Sequence, residues 1–183
     1  MYITLAVLAL VAVYAVVVYN SLVKSRQMTE EAWSGIDVQL KRRADLVPNL
    51  IETVKGYASH EKETLENVIN LRNRAQGVPS GDIQGRAEAE GLLGQALGRV
   101  MALAEAYPDL KANQGFLDLQ NSLETIEGEI QMSRRYYNGA ARDLNVKVDS
   151  FPSNLVARNF GFSKAGYFEI ANDADRAVPA VKF

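Results

Sequence analysis

DLKANQGFLDLQNSLETIEGEIQMSRRYYNGAARDLNVKVD, residues 109–149, decides the fold. Within it Phe116, Leu119, Leu123, Ile126, Ile130, Ser133, Tyr137, Ala140, Leu144 and Val148 recur three and four positions apart. On a helix of 3.6 residues per turn such positions share one face. The pattern holds for more than four heptads, as in coiled-coil-like packing. At 1.5 Å per residue, Asp109–Asp149 would extend about 60 Å. This predicts an all-α, elongated antiparallel bundle.

Upstream, Tyr107-Pro108-Asp109 ends one helix and starts the next, because proline suits a first helical turn. The segment before it, about 82–106, carries Ile83, Ala87, Leu92, Leu93, Leu97, Val100, Met101 and Leu103. It also carries Gly85, Gly91, Gly94 and Gly98, each costing about 1 kcal/mol against alanine in a helix. Close helix–helix packing is the expected reason. A phosphate loop is not, since no strand precedes the glycines and no Gly-Lys-Ser/Thr follows. Gly77-Val78-Pro79-Ser80-Gly81 reads as a loop. From Lys24 to about Gln76, Trp33, Ile36, Leu40, Val47, Leu50, Val54, Tyr57, Leu65, Val68 and Leu71 or Arg72 keep a helical stripe. Pro48 interrupts it and must kink or break the rod. The apolar phase continues across Pro48, which favours one long kinked helix over a turn at Asp45 capping a second helix.

Every charged side chain lies after Val23. Tyr2–Val23, YITLAVLALVAVYAVVVYNSLV, is long enough to cross a bilayer core of about 30 Å, which needs about 20 apolar residues. A cleaved signal peptide would want basic residues before a shorter run and small residues at the cut. Met1-Tyr2-Ile3-Thr4 has no basic side chain, and Tyr19-Asn20-Ser21 is a poor cleavage site. The run therefore reads as a retained anchor, residues 1–23. Lys24 and Arg26 follow it and set the orientation: N-terminus outside, soluble part in the cytoplasm. Ala6, Ala9, Ala12 and Ala15 form a slanted ridge of small residues, suited to close approach of a second membrane helix.

Downstream, Phe151-Pro152 stops the long helix, leaving residues 24–150 as a helical bundle and 151–183 as a separate segment. Five of the six phenylalanines fall there: Phe151, Phe160, Phe162, Phe168 and Phe183. The segment either packs back over the bundle end or docks on a neighbour or the bilayer. An exposed apolar patch would favour docking.

The formal charge of −2 gives no global basic field, which argues against nucleic acid as a partner. With no cysteine, disulfides, thiolate metal sites and a cysteine nucleophile are excluded. His60 is the only histidine, and a carboxylate-bridged diiron bundle needs two Glu-x-x-His helices. Glu61, Glu63 and Glu66 read as a solvated face, with Lys62 and Glu66 as an i, i+4 pair. Ser34 or Ser59 would need an activating base that the sequence does not identify. No catalytic, cofactor-binding or metal-binding residue is assigned. Lys41-Arg42-Arg43 is the strongest basic cluster, about 27 Å beyond the end of the anchor on a straight helix. Its consecutive side chains point to different faces. With Gly94, Gly98, Phe160, Phe162 and Phe168 it supplies the candidate interface residues.

The chain resembles the LemA family of bacterial membrane-anchored proteins. The resemblance rests on Tyr19-Asn20-Ser21-Leu22-Val23, the run from Ala32-Trp33-Ser34-Gly35 to Lys41-Arg42-Arg43, and Asp45-Leu46-Val47-Pro48-Asn49-Leu50. It continues in Val54-Lys55-Gly56-Tyr57-Ala58-Ser59-His60-Glu61, Tyr107-Pro108-Asp109-Leu110-Lys111-Ala112-Asn113, Tyr137-Asn138, Phe151-Pro152 and Tyr167-Phe168-Glu169. It implies an antiparallel four-helix, up-down bundle with a helix boundary at Pro48. It implies the bacterial cytoplasmic membrane and a role near a membrane zinc metalloprotease of the HtpX type, in envelope maintenance or stress. It carries over no catalytic residues. The expectation is a non-enzymatic, self-assembling scaffold whose partners are the lipid bilayer and further copies of itself. An adaptor that regulates a membrane protease is the alternative.

Overall fold

The computed structural model describes residues 1–169, and these form six helices and no strand. They are α1 (Tyr2–Lys55), α2 (Lys62–Gln76), α3 (Ile83–Ala104), α4 (Pro108–Lys111), α5 (Gln114–Asp149) and α6 (Ser153–Asn159). The all-α class is as expected. Phe183 and the polar stretch 172–176 lie outside the described residues. The chain divides into two compact units, each drawing on separated stretches. One combines Met1–Asp37 with Gln131–Tyr167; the other contains Val38–Ile130 together with Phe168.

The helix expected from Lys24 to Gln76 is instead two. α1 ends at Lys55, and the backbone N–H groups of Tyr57 and Ala58 both donate to the Val54 carbonyl. Gly56 weakens the helix here, and the buried Ala58 pins the turn. The apolar phase hid this break because it runs on through Leu65 and Val68. His60 is thus an exposed turn residue rather than a helical one.

Pro48, in contrast, lies inside α1. A proline nitrogen cannot donate to the carbonyl four residues back, here Ala44. Arg72 Nε of α2 makes that bond instead, at 2.8 Å. Ala44 and Arg72 are equally far in sequence from Ala58, as in an αα-hairpin. The family-implied boundary at Pro48 is absent because α2 supplies the missing donor. Arg72→Leu is expected to destabilise the protein by about 1–3 kcal/mol, the cost of an orphaned buried carbonyl. Pro48→Ala restores a backbone donor to Ala44, so Arg72→Leu should cost less in that background. Chemical denaturation of the four variants measures the coupling, and strict additivity would refute it.

The helix expected over 109–149 is also divided. Pro108 opens the single turn α4, and Asn113 then caps α5 by accepting from Phe116 N at 2.9 Å. The α5 stripe is buried as its spacing requires, at Phe116, Leu123, Ile126, Ile130, Tyr137, Ala140 and Leu144. In the second unit, Val47, Leu50, Val54, Val68, Leu93, Val100, Leu110 and Phe116 share one core.

At Gly85, Gly94 and Gly98 the glycines of α3 do not mark close backbone packing. A Cβ at Gly85 would lie 2.2 Å from Asp82 Oδ2, the carboxylate that caps α3 on Gly85 N. At Gly94 a Cβ would meet Arg43 Nη1 at an ordinary 3.6 Å. At Gly98 it would meet nothing within 4 Å.

Candidate functional site

In the unit that contains Met1–Asp37, α1 is bare over its first four turns. Ala6, Ala9 and Ala12 are exposed and Ala15 partly so. Only 6% of the most apolar window of α1 is buried within the protein. A run of Leu, Ile and Val uncovered by its own chain needs another apolar phase around it.

Cover begins at Val18. Leu22, Ala157 and Phe162 are buried together, with Val18, Val23, Val148 and Val156 packed against them. The Tyr19 ring lies edge-on to Phe160 and Phe162, with centroids 5.0 and 5.7 Å away. The Arg26 guanidinium sits 5.1 Å from the Phe162 centroid and pairs with Glu30 at 3.9 Å. Lys147 donates to Ser25 Oγ at 2.7 Å and to the Ser21 carbonyl at 3.5 Å. A cavity of about 490 Å³ opens here, lined by Ser21, Lys24, Ser25 and Met28 of α1 and by Ala140, Asp143, Val146 and Lys147 of α5. Two lysines and one aspartate are among its lining residues, which gives it a net positive lining.

The segment after α6 is tied to α5 by polar contacts. Tyr137 donates its hydroxyl to the Gly166 carbonyl at 2.7 Å. The Asn145 side-chain amide bonds Ala165 twice, donating to its carbonyl at 2.9 Å and accepting from its N–H at 2.8 Å. Trp33 packs edge-on against the Tyr137 ring, with centroids 5.5 Å apart. Burial pushes the Tyr137 phenol above its usual value. The folded state therefore keeps a proton that the unfolded chain loses near pH 10, so this stabilisation is complete below pH 10 and lost as pH rises through the folded value. Tyr137→Phe is expected to cost about 1 kcal/mol at neutral pH and to shallow the fall in stability above pH 10. Denaturation curves at pH 8 and at pH 10.5 test both, and an unchanged pH slope would refute the second.

The second unit holds a buried ion-pair network. Arg43 is 2% exposed and Glu90 1%. Arg43 Nη2 donates to Glu90 Oε2 at 2.7 Å and to the Glu90 carbonyl at 3.0 Å. Arg43 Nη1 donates to Glu127 at 2.8 Å, and Arg86 Nε to Glu90 Oε1 at 2.9 Å. Arg43 Nε is buried with no hydrogen-bond partner. The signal for this network was present in the sequence and was missed. Arg43 takes an α1 stripe position between Leu40 and Val47, and Glu90 an α3 stripe position between Ala87 and Leu93. A lone charge inside an apolar stripe calls for a buried partner.

The candidate interface residues therefore separate. Arg43 is spent inside the protein, while Lys41 and Arg42 are exposed and bond Asp45 and Gln39 on their own helix. Phe162 and Phe168 are buried and offer no surface, because each packs inward. Phe160 is 62% exposed, Gly98 is exposed, and Gly94 is half-buried above Arg43. Lys24 and Arg26 are exposed. Lys62 pairs with Glu66 at 3.6 Å on an exposed face of α2. Among the described residues, no group of three or more His, Asp or Glu side chains is placed to hold a metal ion.

These features define a protein that is all-helical in its described residues and whose first helix carries a bare apolar span into the packing around Leu22. The chain belongs to the LemA family, whose model matches residues 32–183. It is similar to magnetosome protein MamQ 2 of Paramagnetospirillum magneticum, at 29% identity over 90% of this chain and 70% of the relative. It is similar to protein LemA of Metamycoplasma hominis, at 27% identity over 86% of this chain and 71% of the relative. Magnetosome protein MamQ of Magnetospirillum gryphiswaldense is 26% identical over 90% of this chain and 70% of its own length. Family membership and the uncovered helix together indicate a membrane-associated protein.

Proposed function

We propose that the protein is a non-enzymatic, single-pass scaffold that self-assembles in the bacterial cytoplasmic membrane, in support of the envelope. One observation carries this reading: α1 is a single helix, bare at its start and with one face buried from Leu22 onward. Lys24 and Arg26 favour a cytoplasmic soluble part and an external N-terminus. The bare alanine ridge gives neighbouring anchors a face for close packing.

The test is mass measurement of the full chain in mild detergent, beside Ala9→Leu with Ala12→Leu. The wild type should run well above its monomer mass of 20.1 kDa, and the variant should be smaller. Monomers in both would remove self-assembly, and co-purification of that monomer with a membrane protease would support an adaptor instead. An identical large assembly in both would move the interface from the ridge to the soluble part. A reporter active only outside the cytoplasm, fused after Phe183, should stay silent; strong activity would invert the orientation.

A further inference from the structure

We infer that the chain after α5, residues 151–162, enters the apolar zone of the bilayer beside the anchor and forms a second lipid-contacting element. This rests on the anchor reading above. The argument starts from length. The uncovered apolar stretch Tyr2–Val17 has 16 residues and rises about 24 Å at 1.5 Å per residue. A hydrocarbon core of about 30 Å asks for roughly four residues more. Those are Val18 to Ser21, and the C-terminal segment covers this level of α1. Phe160 and Phe162 pack on Tyr19, and Val156 joins Val18 in the cluster around Leu22. Side chains seated on that turn share its depth. Tilting the anchor shortens its reach and draws the segment deeper.

The surface chemistry agrees. Phe160 is 62% exposed, Leu155 53% and Phe151 79%, a concentration of apolar surface on a short stretch. In water that exposure is unfavourable; against acyl chains and the interfacial zone it is not. Two polar side chains of the segment are bonded to carbonyls close by, while Asn154 Oδ1 is buried without a hydrogen-bond partner among the described residues. Ser153 Oγ donates to the Lys147 and Ser150 carbonyls, and Asn159 Nδ2 donates to the Leu155 carbonyl. Arg158 is exposed on α6, where a long side chain reaches the headgroup phosphates.

The test places single tryptophans in the full chain with Trp33→Phe as background. Phe160→Trp reports the segment, Tyr14→Trp the anchor, and His60→Trp the exposed turn of the other unit. Each protein is reconstituted in phosphatidylcholine–phosphatidylglycerol vesicles, with and without lipids brominated on the acyl chains. The expected result is loss of emission and a blue-shifted maximum for Phe160→Trp and Tyr14→Trp, with His60→Trp unaffected. Quenching at Tyr14→Trp without quenching at Phe160→Trp overturns the inference and leaves the anchor in place; the bilayer would then thin to meet a shorter span. Absence of quenching at both positions overturns the anchor and the inference together.

Discussion

Replacing Arg43 with alanine is expected to lower the thermal unfolding midpoint of the full chain by roughly 6–20 °C, from a loss of about 3–5 kcal/mol and about 2–4 °C per kcal/mol at this size. The energy comes from what stays behind. Glu90 is 1% exposed, and without Arg43 it keeps Arg86 as its charged partner among the described residues while losing its bond from Nη2. The side chain removed also leaves a void beneath Gly94. Glu90→Ala should cost a comparable amount by the reverse route, since the buried guanidinium then keeps a single carboxylate, the 45% exposed Glu127. Arg43→Met combined with Glu90→Leu should recover most of the loss. No deeply buried charge then remains, and apolar replacements of similar volume often equal a buried pair. Calorimetry of the four proteins measures both losses and the recovery. Single variants that melt within about 2 °C of the wild type would show the pair to be worth less than about 1 kcal/mol, outside the expected range.

That network shows where a sequence stops being legible. Period and spacing report which face of a helix is buried, and the stripes of α1 and α5 are buried as they demand. They do not report which charged residue turns inward. Within Lys41-Arg42-Arg43 the three side chains differ only in angle around the helix axis, and only Arg43 points to the core. Breaks in a rod are equally opaque when the apolar phase runs through them. Gly56 ends α1 while Pro48 does not, the opposite of their intrinsic ranking. The reason is tertiary: Arg72 from another helix completes the bond that proline forgoes. The aromatic segment 151–169 divides in the same way. Composition marks it as apolar, but only its placement against Tyr19 and Tyr137 separates buried Phe162 from exposed Phe160. The bare apolar start of α1, by contrast, is legible directly, because its length and lack of charge act without any partner.

Its contribution is correspondingly simple to remove. Ten Leu, Ile and Val side chains lie between Ile3 and Val18. At about 0.3–0.6 kcal/mol each on the insertion scale, they favour the bilayer by roughly 3–6 kcal/mol. Leu10→Asp with Val11→Asp puts two carboxylates at the middle of the span. Each costs about 2.5–3.5 kcal/mol there, so the pair cancels the whole preference. Aspartate is too short to reach the headgroups as lysine or arginine would. The wild type should therefore sediment with membranes and resist carbonate extraction. The double variant should appear in the extractable fraction. Because both positions are exposed within the protein, the folded core loses no contact, and its unfolding midpoint should not move. Leu10→Ala with Val11→Ala changes the same two sites without charge and should stay with the membrane. Carbonate-resistant retention of the aspartate variant would mean that residues 2–23 are not what holds the chain there, and the remaining lipid contact would have to come from the segment around Phe160.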